Sequence, residues 1–196
     1  MTIDKLGMAK IKHLQRIHDL KSYRNACRVV RQLEPYIHSC FYEKEKIIYL
    51  NKEGRELIGS KKEVKRTSYM DHTLLRNEAY LYFNCPLDWK TEHPLETTQK
   101  VATKFEMMIN GKPPINKKKV VADAVFTRNG YLNLIEIDNT RKMLENKKKI
   151  ELYREIMPNL QMPKLWFFTQ TEDRKRKLQE WAKGLKCEVM TFKEIL

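Results

Sequence analysis

The stretch KKKVVADAVFTRNGYLNLIEIDNT, residues 117–140, decides the fold of the second half of this chain. Two short apolar runs flank Asn129 and Gly130, and an Asn-Gly pair between alternating residues is a strong local signal for a two-residue hairpin turn. Three acids, Asp123, Glu136 and Asp138, interrupt runs that otherwise read as core strands. Side chains alternate along a strand, so Glu136 and Asp138 share one face while Ile135 and Ile137 take the other. Carboxylates cost free energy when buried without a partner, so their presence in such runs points to a site rather than to packing.

Working outward, DHTLLRNEAYLYF (71–83) reads as a helix and VATKFEMMI (101–109) alternates as a strand. TRKMLENKKKIELYREIM (140–157) reads as a long helix, KLWFFTQ (164–170) as an apolar strand, EDRKRKLQEWAKGL (172–185) as a helix and CEVMTF (187–192) as a closing strand. On the long helix, Lys142, Asn146, Lys149 and Tyr153 fall on one face beside the apolar Met143, Ile150 and Met157.

The order helix, three strands, helix, strand resembles the PD-(D/E)xK restriction-endonuclease-like fold. That resemblance implies Asp123 and Glu136 as magnesium ligands, with the Ile137 carbonyl between them, because magnesium prefers hard oxygen donors and keeps several waters. Asp138 stands where active members of the fold commonly carry lysine. Lys149 is the candidate replacement, a cation able to hold the attacking water or to stabilise the phosphate in phosphoryl transfer. The catalytic candidates are therefore Asp123, Glu136, Asp138 and Lys149. If Asp138 pairs instead with a basic neighbour such as Arg141, and Lys149 faces solvent, the acids are a structural remnant.

Composition narrows the partner. The chain has 196 residues, 39 Lys+Arg against 25 Asp+Glu and a formal net charge of +14, an excess that usually marks a polyanionic partner. Double-stranded DNA is the expected one, and a homodimer is a possible assembly. No stretch approaches the roughly 18 apolar residues a spanning helix needs, and the opening MTIDKLGMAKIKH has no apolar signal core, so a cytoplasmic protein without membrane contact is expected. The four cysteines lack Cys-x-x-Cys spacing, which argues for reduced thiols and against zinc. No His-hydrophobe-His pair supports a rolling-circle relaxase, and no glycine cluster supports a phosphate loop.

The polar, basic run GSKKEVKRTS (59–68) reads as a linker, giving expected domains 1–60 and 69–196. In the first, MAKIKHLQRIHD (8–19) and SYRNACRVVRQLEPYI (22–37) read as two helices, the second N-capped by Ser22. CFYEKEKIIYL (40–50) follows as a hairpin turning at Glu43 to Glu45. With NKEGREL (51–57) closing it, the segment resembles a winged helix-turn-helix, though residues 1–7 are short for the helix that precedes such a motif. The resemblance implies that the second helix enters the major groove. Tyr23, Arg24, Asn25 and Arg28 are then expected to read bases, with Lys21, Arg31, Lys44 and Lys46 on phosphates. His72 and Glu78, on the helix opening the second domain, are either neighbours of the acidic cleft or, as such residues more often are, capped or solvated.

The expected class is thus α+β or α/β, a winged helix-turn-helix followed by a nuclease-like domain. RNACRVVRQLEPYI, LNKEGREL, ADAVF, LIEIDNT and NKKKIELY in that order resemble the replication-relaxation family of plasmids and mobile elements. The resemblance implies a DNA-binding protein of a plasmid, phage or integrative element, acting in replication, DNA relaxation or their regulation. It leaves two readings: a DNA-binding factor with a degenerate nuclease-like domain, or a magnesium-dependent endonuclease or nickase. The sequence favours the first, because Asp138 breaks the usual motif.

Overall fold

The computed structural model describes residues 2–64, 69–100, 115–139 and 141–196. The protein is a mixed α+β chain, and its described residues build two separate sheets. It divides into two compact units, Met1–Pro86 with Ile195–Leu196, and Leu87–Glu194.

The first unit runs α1 (Thr2–Leu6), β1 (Met8–Lys10), α2 (Ile11–Ile17), α3 (Tyr23–Gln32), β2 (Ile37–Tyr42), β3 (Glu45–Leu50), α4 (Lys52–Ile58) and α5 (Met70–Tyr82). The three strands form an antiparallel sheet in the order β1, β3, β2. Residues 2–10, expected to hold only the start of a helix, supply a short helix and a strand: Met8 and Ala9 pair with Tyr49 and Ile48 across the sheet. The hairpin turns at Glu43 and Lys44, both in the left-handed region that a tight two-residue turn requires. Ser22 caps α3 by accepting the Asn25 amide at 3.2 Å, and Asn51 caps α4 by accepting the Gly54 amide at 2.8 Å. A Cβ on Gly54 would lie 2.1 Å from the Tyr36 carbonyl oxygen, so only glycine lets α4 lie this close to the backbone before β2.

Helix α5 belongs to this unit, whereas the sequence assigns it to the second domain. Met70 and Leu74 join Met8 and Ile47 in one buried cluster, and the Asn77 side chain donates to the Met8 carbonyl at 2.5 Å. Glu78 lies against His13 at 2.8 Å and Arg16 at 3.3 Å, partners that belong to the first unit. The Lys10 amide donates to His13 Nδ1 at 3.3 Å, leaving Nε2 to carry the proton toward Glu78. The compositional boundary at 59–68 therefore does not separate the units. A polar linker can sit inside a unit when the helix beyond it supplies part of the core.

The second unit is a five-stranded mixed sheet in the order β4 (Lys90–Lys100), β5 (Ile115–Arg128), β6 (Tyr131–Asp138), β7 (Pro163–Thr169), β8 (Cys187–Thr191). The first three strands are antiparallel, and β6, β7 and β8 are parallel. Asn129 and Gly130 both adopt positive φ at the β5–β6 turn, as the Asn-Gly pair predicts. Helix α6 (Met143–Ile156) links β6 to β7, and α7 (Glu172–Trp181) links β7 to β8. Both helices cover one face, where Ile150, Tyr153, Ile156 and Leu178 pack on Leu134, Leu165, Phe167 and Val189. On the other face Trp89 stacks on Phe126 and Phe192 lies against Phe168. A short last helix, α8 (Phe192–Ile195), carries Phe192.

Strand β4 has no counterpart in the periodicity. KTEHPLETTQK is polar and contains Pro94, which a sheet accepts only at an edge, and β4 is an edge strand. The expected strand at 101–109 lies outside the described residues.

Candidate functional site

In the second unit, the acids gather where the β5–β6 ladder opens. Register pairs run from Arg128 with Tyr131 to Ala124 with Ile135. One step further come Asp123 and Glu136, and there the Ile137 amide donates to the Asp123 carboxylate at 2.7 Å instead of joining the ladder. The opening lies at the carboxyl end of β6, next to the parallel strand β7, the position where open α/β sheets hold ligands.

Glu136 is 1% exposed, and both of its oxygens accept hydrogen bonds from α6. Lys149 Nζ donates to Oε2 at 2.5 Å, and the Tyr153 hydroxyl donates to Oε1. Burial pushes the Glu136 carboxyl up to about 8, with the Asp123 charge acting in the same direction and Lys149 and Tyr153 opposing it. Burial and the neighbouring Glu136 likewise push the Tyr153 hydroxyl well above its ordinary value. Arg141 Nη1 stands 3.9 Å from Glu136 Oε2, too far for a hydrogen bond and close enough for charge attraction. Asp123, Glu136 and Lys149 are therefore brought together, with Lys149 turned inward to the acid.

Asp138 belongs to a different cluster. It is 2% exposed, and Asn146 donates to Oδ1 at 2.7 Å while Thr169 donates to Oδ2 at 2.8 Å. Arg174 forks the same carboxylate, Nε to Oδ2 at 2.7 Å and Nη2 to Oδ1 at 2.5 Å. Its basic partner is thus Arg174 of α7 and not Arg141. With both oxygens committed to an internal network, Asp138 holds β6, β7, α6 and α7 together and is withdrawn from the group at Glu136.

Asp123 and Glu136 are neighbours at this opening, with both Glu136 oxygens accepting from Lys149 and Tyr153. Among the described residues no group of three or more His, Cys, Asp or Glu side chains is arranged to hold a metal. Two carboxylates are nevertheless an acceptable protein share for magnesium, which completes its shell with water and substrate phosphate. Burial first, and the Asp123 charge second, hold the Glu136 carboxyl above its ordinary range.

The first unit carries the other expected residues. Ser22, Arg24, Asn25, Cys27, Arg28 and Arg31 line one open hollow on α3. Tyr23 is 45% exposed, and Arg24, Arg28 and Arg31 are exposed or half-buried along the same helix. The Asn25 amide is already engaged: its nitrogen donates to the Leu20 carbonyl at 3.0 Å and its oxygen accepts from Arg28 Nη2 at 3.0 Å. That geometry makes Asn25 a support for Arg28 instead of a free bidentate reader. Lys44 is exposed at the hairpin tip, Lys46 is half-buried opposite Phe41, and Lys21 is exposed beside Asp19.

Nothing in the sequence marks Arg174, because it sits in a charged run, EDRKRK, of two acids and then four bases, that resembles any solvated helix start. The helical period places Tyr153 on the correct face of α6 but does not identify its partner. No known protein family, curated protein or solved structure matches the chain, and among the described residues no helix is long and apolar enough to cross a membrane.

Proposed function

We propose that this chain is a DNA-binding protein whose second unit is a PD-(D/E)xK nuclease-like domain that nicks DNA with magnesium. The observation that carries the reading is the Lys149 ammonium, 2.5 Å from Glu136 Oε2 at the opening that also holds Asp123. A lysine arriving from α6 supplies the cation missing from the position of Asp138. The antiparallel β4–β5–β6 meander, followed by α6 and the parallel β7, supports the nuclease-like fold.

In this reading Asp123 and Glu136 would hold magnesium, and the bound metal would supply positive charge to the scissile phosphate. Lys149 positions the attacking water and offsets the charge that develops on phosphate oxygens. Water oxygen bonds to phosphorus, one P–O ester bond breaks, the water proton passes to solvent and the departing oxygen takes a proton from solvent. Supercoiled plasmid should become open circular with magnesium and stay intact with chelator, and Asp123→Ala should remove both the nicking and any magnesium-linked rise in Tm. An uncut plasmid at high protein excess sinks the nuclease reading.

The first unit is proposed as a winged helix-turn-helix. The order α1, β1, α2, α3, β2, β3 and the sheet order β1, β3, β2 support it, as do the arginines that line the hollow on α3. Replacing Arg24 and Arg28 with alanine should weaken binding to a selected duplex by roughly 1–3 kcal/mol for each arginine that bonds a base edge. Unchanged binding at moderate salt, with the fold intact, would move the reading surface elsewhere. The resemblance to the replication-relaxation family supports a plasmid, phage or integrative element as the setting, and replication or DNA relaxation as the process.

A second reading keeps the DNA binding and makes the nuclease-like unit inert. The observation that favours it is the internal commitment of Asp138. On that reading the protein shifts supercoiled plasmid in a gel and leaves it uncut with magnesium or manganese.

A further inference from the structure

Among the described residues, Arg141 also stands near the acids once Lys149 is paired. Glu136 has both oxygens occupied by Lys149 and Tyr153, yet Arg141 also stands at its edge, 3.9 Å from Oε2, with its side chain 31% exposed. That distance leaves the guanidinium without a hydrogen bond to the acid, so its planar fork of donors remains available to an anion arriving from solvent. Arg141 is also not an idle surface arginine. Its carbonyl accepts Arg174 Nη2 at 2.6 Å, and the same Arg174 forks Asp138, which Asn146 and Thr169 fix in turn. The buried network therefore ends on the backbone of Arg141, at the segment joining β6 to α6.

We infer that Arg141 is the phosphate-binding residue of this site, held at its mouth by the Asp138–Arg174 clamp, and that it receives the scissile phosphate with two hydrogen bonds from its guanidinium. The inference rests on the nuclease reading above and adds to it the group that grips the substrate. It also explains Asp138, since the acid that displaced the usual lysine anchors, through Arg174, the residue that binds phosphate. A guanidinium suits that role better than a second ammonium because its donors match two phosphate oxygens at once.

The test uses the full chain and two readouts. In single-turnover nicking of supercoiled plasmid with magnesium, Arg141→Ala should slow the reaction by roughly a hundredfold while plasmid affinity stays within about twofold, and Arg141→Lys should fall between. In parallel, the Nε–H resonance of Arg141, assigned by its loss in Arg141→Lys, should shift when a short duplex is added with calcium in place of magnesium. If the wild type nicks and Arg141→Ala nicks equally fast, the Arg141 assignment is overturned and the nuclease reading survives. If the wild type does not nick but the resonance shifts with duplex, the phosphate site stands and the cleavage reading fails. No nicking together with an unmoved resonance overturns both.

Discussion

Lys149→Ala should lower the rate of magnesium-dependent nicking by about a hundredfold to a thousandfold while leaving DNA affinity nearly unchanged. The size follows from the place of the ammonium. Lys149 is only 13% exposed in its side chain, sits 2.5 Å from a carboxylate that is 1% exposed, and acts where water screens little. The affinity should hold because Lys149 is one of 39 basic residues, and binding to a polyanion is set by the sum of phosphate contacts. The fold should survive as well. Loss of Lys149 removes an influence that lowers the Glu136 carboxyl, so Glu136 moves further above its ordinary range and takes a proton rather than remaining an unpaired buried charge. Lys149→Arg keeps the charge but replaces a compact ammonium with a wide fork, and its rate should lie between the two. The measurement is single-turnover conversion of supercoiled to open-circular plasmid, with binding followed separately at matched salt. A Lys149→Ala protein that nicks at the wild-type rate would remove Lys149 from the chemistry.

The elements that set this site are legible in the sequence where local signals are strong. The Asn129-Gly130 turn fixes the β5–β6 hairpin, and alternation then sets Glu136 and Ile137 on opposite faces. The 3.6-residue period puts Asn146, Lys149 and Tyr153 on the face of α6 that meets Asp138 and Glu136. What cannot be read are partnerships made across long chain separations. Arg174 meets Asp138 because α7 crosses back over the parallel strands, and nothing local in EDRKRK marks the third charged residue as inward-facing. Asn25 looks like a base reader because its residue type suits adenine, but the turn before α3 brings the Leu20 carbonyl within its reach. The polar stretch at 59–68 misleads for a related reason: composition reports solvent contact of the linker and says nothing of where α5 packs. The apolar spacing of residues 8–10 draws them into a helix, whereas pairing with β3 makes them a strand.

Arg174→Ala should cost about 3–5 kcal/mol of stability, as removal of one partner from a buried ion pair usually does. Asp138 is 2% exposed and receives two of its hydrogen bonds from Arg174, whose own charge the Asp138 carboxylate strengthens. Without the guanidinium, Asn146 and Thr169 still donate to Asp138, but two neutral donors do not balance a full charge in a low-dielectric setting. The Arg141 carbonyl loses a donor at the same time, so the segment that leads into α6 loosens. Asp138→Asn should cost less than Arg174→Ala, because Arg174 is 23% exposed in its side chain and can turn toward water, while Asp138 cannot. The double variant Asp138→Asn with Arg174→Met should be more stable than Arg174→Ala alone, since it leaves no unpaired charge inside the unit. Urea unfolding of the full chain, followed by a probe in the second unit, measures all three. A loss below about 1 kcal/mol for Arg174→Ala would place this ion pair with ordinary surface pairs and detach Asp138 from the role of anchor.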